Sequence, residues 1–208
     1  MAIRTWEDVP GWFCKGDAGF VSDICRSISG GVVVEVGSFA GRSAAVMAPI
    51  CHANGTELHC VDNWLLIPDP SRTRRVQLND MLRRAMEPHR ETNLRRAFRR
   101  NMKSLGVWHM ISPHQYDSAE AAAIFPDGSV DFCFIDADHS YAGVLRDITA
   151  WWPKVRPGGT IGGHDWHMRS VRRAVRETFS PLGLAIDCDR RARRHTCWSA
   201  RKPVNCPG

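Results

Sequence analysis

The stretch Val32-Val33-Val34-Glu35-Val36-Gly37-Ser38-Phe39-Ala40-Gly41-Arg42-Ser43 decides the fold. Its β-branched run reads as a strand buried on both faces, as parallel strands are, and it breaks into a glycine-containing turn. The following Ser43-Ala44-Ala45-Val46-Met47-Ala48 predicts a helix. A strand, a tight turn and a helix in that order mark the place where open α/β sheets bind ligands. Gly37 and Gly41 let the backbone approach a ligand closely, and the helix start beyond them offers N–H groups with no partner inside the helix.

The spacing narrows the ligand. A dinucleotide fingerprint is G-x-G-x-x-G, whereas this turn is G-x-x-x-G with Phe39 between the glycines. Phe39 leaves less room for a pyrophosphate, and Glu35 would repel phosphates while suiting a cation. The pattern E-x-G-x-x-x-G resembles motif I of class I S-adenosylmethionine-dependent methyltransferases, whose donor carries a sulfonium and an ammonium but no phosphate. A plain strand–turn–helix without a ligand has the same local pattern, so the rest of the chain has to decide.

A chain of 208 residues with 43% hydrophobic and 24% charged residues predicts one globular domain, 1–208. No apolar stretch approaches the roughly 20 residues of a membrane span, and Met1–Asp8 lacks the apolar centre of a signal peptide. The eight cysteines are scattered, with no C-x-x-C pair, which reads as thiols of a cytoplasmic protein. Cys188 and Cys197 could face each other across a hairpin. The net charge of +6 gathers in arginine clusters between Arg72 and Arg100 and between Arg169 and Arg194. Such clusters can bind nucleic acid or other anions, but no aromatic-interleaved pattern accompanies them, and solvated basic faces are the reading favoured here.

Periodicity alternates between short apolar runs and amphipathic stretches, the signature of α/β folds. Strands are expected at Val32–Val36, Glu57–Asp62, Val107–Ile111, Ser129–Ile135 and Thr160–Gly163, and a closing hairpin from Leu184–Cys188 and His195–Ala200. Helices are expected at 16–29 with Phe20, Ile24 and Ile28 on one face, at Arg42–Ala48 with Pro49 ending or kinking it, around Leu94–Leu105, at Ser118–Ile124, at 141–152 and at Met168–Phe179. Segment 1–30 is an N-terminal piece with its helix. Segment 63–90 reads as an insertion or lid beside the site, with Leu78, Met81, Leu82, Ala85 and Met86 inward. The result is a Rossmann-like, seven-stranded, mostly parallel sheet with helices on both faces and a C-terminal antiparallel hairpin.

Ligand sites of such sheets gather at the carboxyl ends of the strands. Those ends carry Glu35 and Gly37, Asp62, Asp117-Ser118, Asp136-Ala137-Asp138-His139 and His164-Asp165, a concentration of polar residues on one edge. Asp62, about 20 residues past the glycine turn, is placed to accept hydrogen bonds from two ribose hydroxyls. Asp117 and Ser118 either cap the helix that follows or sit near an adenine edge. Trp64 either covers an adenosine or packs in the core.

With Phe134–Tyr141 and Gly158–Trp166, residues 10–62 and 91–179 resemble small class I methyltransferases of the macrocin-type sugar O-methyltransferase group, to which cephalosporin hydroxylase-like proteins are related. The resemblance implies S-adenosylmethionine bound by Glu35, Gly37, Ser38, Phe39, Gly41 and Ser43, then by Asp62, Asn63 and Trp64, and by Asp117, Ser118 and Asp136. It implies a divalent ion, Mg²⁺ or Mn²⁺, at Asp136, His164 and Asp165; His164 departs from the family's Asp-Asp or Asp-Asn pair, so an acid–imidazole network without metal stays open. It further implies Asp138 as the base that takes a proton from the acceptor, with His139 beside it as a second candidate. The function expected is O-methylation of a small hydroxylated acceptor. RNA or N-methylation, or a non-catalytic nucleotide- or RNA-binding relative, remain alternatives, and so does a homo-oligomer.

Overall fold

The computed structural model describes residues 3–65, 93–188 and 196–204, together with Met81 and Arg83. Of the expected insertion 63–90, only 63–65, Met81 and Arg83 are described, so the helix face Leu78–Met86 is outside the described residues except for Met81, and so is the hairpin tip with Arg190–Arg194.

Seven strands form one sheet in the order β3-β2-β1-β4-β5-β7-β6. They are β1 (Val32–Val36), β2 (Glu57–Val61), β3 (Ile111–His114), β4 (Val130–Ile135), β5 (Val155–Gly163), β6 (Ile186–Cys188) and β7 (Trp198–Arg201). The first five pair in parallel, and β7 joins β5 and β6 antiparallel. The chain leaves β1 for β2 on one side and reaches β4 on the other, so the crevice between the ends of β1 and β4 is the topological switch point.

Helices α1 (Lys15–Arg26), α2 (Ala44–Ala53) and α3 (Leu94–Ser104) cover one face, where Val33, Leu58, Phe132 and Phe134 meet Phe20, Met47 and Phe98. The other face carries α4 (Ser118–Ala121), α5 (Tyr141–Trp151) and α6 (Arg169–Phe179), with Val34, Val36, Cys133 and Ile135 against Ile148, Trp151 and Phe179. The two-residue alternation along β1 therefore sends Val33 and Glu35 to the first face and Val34 and Val36 to the second. No helix among the described residues is long and apolar enough to cross a membrane.

Local boundaries depart from the sequence expectation in three places. The run from Val107 is not a strand: Gly106, at φ 73°, closes α3 together with Val107, whose N–H donates to Met102 O. A 3-10 turn, Trp108–Met110, follows, and β3 starts only at Ile111. Pro113 is accommodated there because β3 is an edge strand. Helix α2 does not stop at Pro49 but runs to Ala53, because Met47, Ala48 and Cys51 all bury against the sheet. Strand β5 starts at Val155 and not at Thr160, and Arg156–Gly159 bulge out of the pairing, the register with β4 jumping from Val130↔Val155 to Phe132↔Thr160. Cys188 sits opposite Trp198, which offsets Cys197 by one residue, and no disulfide joins the two cysteines.

Gly37 is set by the sheet itself. At φ 96°, a Cβ there would lie 2.2 Å from the carbonyl oxygen of Asp136. Gly55, at φ 65°, has open space around it. Gly37→Ala should therefore lower the unfolding free energy by about 3 kcal/mol or more, against about 1 kcal/mol for Gly55→Ala, in urea unfolding. Equal losses would show that strand β4 does not press on this turn.

Candidate active site

The glycine turn is braced from below. Glu35 is fully buried, and its carboxylate accepts a hydrogen bond from the Ser43 hydroxyl immediately before α2. Burial pushes its carboxyl up to about 7 against that hydrogen bond. Ser38 is buried as well. A Cβ on Gly41 would lie 2.6 Å from Met102 Cε and 2.9 Å from Phe98, so α3 fills the space that this glycine leaves.

Asp62, one residue past β2, holds the turn from above. It accepts from the N–H of Phe39 at 2.7 Å and from the N–H of Trp64 at 2.5 Å. The Trp64 indole N–H donates in turn to Phe39 O at 2.9 Å, closing a ring of contacts. Trp64 is buried and packs on Phe98, with ring centres 5.2 Å apart. Asn63 Oδ1 accepts from Leu65 N–H at 2.8 Å, so that side chain shapes the loop. Phe39, Trp64 and Asp165 have φ of 47°, 49° and 57°. Left-handed backbone at a non-glycine residue costs of the order of 1–3 kcal/mol and tends to collect at functional sites. All of these lie in loops at the carboxyl edge of the sheet.

Asp117 and Ser118 stand at the start of α4. Asp117 Oδ1 accepts from Ala119 N–H at 3.1 Å as the N-cap of α4, and Arg146 lies 3.6 Å from its other oxygen. Ser118 is buried, its carbonyl accepting from the Trp151 indole at 3.0 Å. Several arginines of the basic clusters also have partners within the fold. Arg95 lies over Trp64 at 5.9 Å, Arg99 over Trp108 at 5.6 Å, Arg173 over Tyr141 at 4.6 Å and Arg176 over Trp166 at 5.5 Å.

At the ends of β4 and β5 the signs of charge alternate along a chain of five residues. Asp17 Oδ2 lies 3.3 Å from His164 Nε2, and His164 Nδ1 lies 3.5 Å from Asp165 Oδ2. Asp165 Oδ2 is 2.9 Å from His139 Nε2, which is 3.4 Å from Asp136 Oδ1. Burial disfavours both imidazolium ions, but the surrounding carboxylates outweigh it, holding His139 up at about 10 and His164 at about 11. The same contacts overcome the burial of Asp165 and Asp17 and hold both carboxyls well below the usual range.

Of the expected metal ligands, Asp136 and Asp165 come together, and His139 joins them: donor atoms of these three residues lie within 4.8 Å of one another. His164 comes with them: its Nδ1 lies 3.6 Å from Asp136 Oδ1 and 3.5 Å from Asp165 Oδ2, while its Nε2 faces Asp17. Asp138 accepts from Ser140 with both oxygens, at 2.8 and 2.9 Å, and lines the same small cleft as Asp136 and His139.

Sequence reasoning missed Asp17, although it lies three residues before Phe20, on the stripe that α1 turns inward. An acid on an apolar stripe was the available signal. Arg42 was missed too. Its guanidinium donates to the carbonyls of Val9 at 3.0 Å and Gly11 at 3.3 Å, which ties the N-terminal segment to the glycine turn.

Residues 34–166 match the family described as a methyltransferase domain. The chain belongs to this methyltransferase family. Among solved structures, the methyltransferase resembles the O-methyltransferase NovP at a TM-score of 0.67 and 17% identity, covering 90% of this chain and 80% of that one. It resembles a SAM-dependent O-methyltransferase from Thermotoga maritima at a TM-score of 0.65 and 13% identity, over 95% of this chain and 68% of that one. For the O-methyltransferase TomG from Streptomyces achromogenes, in complex with SAM, the values are 0.64 and 12%, over 93% and 82% of the chains. These likenesses show the fold. No curated protein matches the sequence.

The glycine turn suits a positively charged donor such as S-adenosylmethionine. Burial raises Glu35 and Asp62, and no cationic side chain among the described residues lies against either. A ligand bearing positive charge and hydroxyl donors complements such a pair. Glu35 also makes stability depend on pH. Its folded value of about 7 lies above the ordinary 4.5, so its contribution is full below 4.5 and fades as pH rises through 7. The unfolding free energy of the wild type relative to Glu35→Gln should fall by roughly 2–3 kcal/mol between pH 5 and pH 8 in urea titrations. A difference independent of pH would mean that this carboxylate is not desolvated.

Proposed function

We propose that this enzyme is an O-methyltransferase acting on a small hydroxylated acceptor, assisted by a divalent ion held by Asp136, His139 and Asp165. The convergence of those three residues beside the glycine turn carries the reading. Within the family, the reading favours the macrocin-type sugar O-methyltransferase group with its cephalosporin hydroxylase-like relatives, on the strength of the Asp136-Ala137-Asp138-His139 and His164-Asp165 motifs. Two carboxylates and an imidazole form a mixed oxygen–nitrogen set that suits Mn²⁺ or another first-row ion at least as well as Mg²⁺.

S-Adenosylmethionine supplies a methyl group on a positively charged sulfur. The divalent ion supplies Lewis acidity, which makes an alcohol acidic enough to lose its proton near neutral pH. The remaining work falls to this chain. Asp62 and Trp64 hold the turn that receives the donor. Asp138, its carboxylate oriented by Ser140 at the mouth of the cleft, takes the acceptor's proton. Asp165, fixed by His139 and His164, keeps its orientation at the end of β5, as in-line transfer over about 3 Å demands.

A screen of hydroxylated sugars and aromatics with labelled S-adenosylmethionine and Mn²⁺ tests this. Methyl transfer should stop with a chelator. Asp165→Asn should weaken Mn²⁺ binding tenfold or more, and Asp138→Asn should lower kcat about 10²–10⁴-fold with little change in the KM for S-adenosylmethionine. Turnover indifferent to chelator would remove the metal from the mechanism. An active Asp138→Asn would leave that residue as a cap for Ser140.

A further inference from the structure

Behind the carboxylates of the sheet edge lies a second cluster, which shares His164 with the site and adds two residues that methyl transfer does not use. Asp17 in the first turn of α1, His164 at the end of β5 and Cys197 just before β7 are 2%, 6% and 0% exposed. One donor atom from each lies within 4.8 Å of the other two. An acid, an imidazole and a thiol brought together from three remote parts of the chain into a dry interior are costly to bury unless something binds them to one another.

The contact between Asp17 and His164 is informative. Nε2 of His164 is 3.3 Å from Oδ2 of Asp17, yet this buried nitrogen makes no hydrogen bond. A charge-assisted hydrogen bond ordinarily closes to about 2.7–2.9 Å along the N–H direction. Nitrogen and oxygen ligands bound at about 2.0 Å to one tetrahedral ion stand about 3.3 Å apart, and a sulfur ligand at about 2.3 Å stands about 3.5 Å from an oxygen ligand. The Cys197 thiol donates to the other oxygen of Asp17, Oδ1, at 3.5 Å, so the carboxylate turns one oxygen to each neighbour.

The surroundings match as well. Metal-bound imidazoles give their other ring nitrogen to a carboxylate, which fixes tautomer and orientation. Nδ1 of His164 faces Asp165 at 3.5 Å and Asp136 at 3.6 Å. The Asp17 carboxylate is itself oriented by the Cys14 N–H at 2.7 Å and by the Thr196 hydroxyl.

We propose that Asp17, His164 and Cys197 bind a zinc-class divalent ion that ties α1 to β5 and β7, separate from the cation at Asp136, His139 and Asp165. A thiolate, an imidazole and a carboxylate select Zn²⁺ or Co²⁺ over Mg²⁺. The fourth corner of the tetrahedron falls to water. As the ion enters, the Cys197 thiol and His164 Nε2 each release one proton, so two positive charges leave as two arrive. The bound ion then fixes His164, and through it the orientation of Asp165.

Cobalt reports on the ligands directly. The full-length protein, stripped of metal and titrated with Co²⁺, should develop a sulfur-to-cobalt charge-transfer band in the near ultraviolet, saturating at one equivalent and lost on addition of Zn²⁺. The band should persist in His139→Ala, which belongs to the sulfur-free site, and vanish in Cys197→Ser. If Cys197→Ser does not fold, Asp17→Asn serves in its place and should weaken the Co²⁺ affinity read from this band tenfold or more. Absence of the band in the wild type, or its persistence in Cys197→Ser, would overturn the proposal.

Discussion

The carboxylate of Asp62 holds two stretches of backbone in a conformation that neither would keep alone. Phe39 and Trp64 both sit in the left-handed region, and each donates its N–H to one oxygen of this residue. The Trp64 indole then reaches back to Phe39 O, so the loops after β1 and β2 form one unit. Strain at two positions is offset by charge-assisted hydrogen bonds in a largely buried setting, where such bonds are strongest. The donor turn is therefore formed in advance of any ligand, and everything placed around it inherits its position.

The second half of the site follows from the sheet. Gly37 brings the turn against Asp136, because only a residue without Cβ can pass that carbonyl. Asp136 and Asp165 end neighbouring parallel strands, and His139 folds back between them from the loop before α5. Glycine turn and acid cluster are thus joined through the backbone contact of β1 with β4, at the topological switch point. The Arg42 clamp on Val9 and Gly11 adds the N-terminal segment to the same assembly.

Much of this was legible in the sequence, for a physical reason. Strand β1 is buried on both faces, so its apolar run, its glycines and the motifs after β4 and β5 are local signals that survive folding unchanged. The seven-stranded, mostly parallel sheet with its closing antiparallel pair was expected from these signals, and the structure has it. What escaped reading depends on contacts between distant segments. Asp17 meets His164 across 147 positions of sequence, counting 164 − 17. For Trp64 and Asp117 the sequence left two roles open, and the contact of Trp64 with Phe98 and the cap of Asp117 on α4 are what the fold adds. Val107–Met110 has a strand-like composition, but the closure of α3 at Gly106 converts it to a 3-10 turn.

The proposed chemistry depends first on where the methyl donor sits. Backbone amide resonances of the labelled protein, followed during titration with S-adenosylhomocysteine, locate the ligand without knowledge of the acceptor. The largest saturable shifts should fall on Gly37, Ser38, Phe39 and the residues flanking Asp62, with NAD producing none. Shifts centred elsewhere on the sheet, or a response to NAD at this turn and none to S-adenosylhomocysteine, would contradict it.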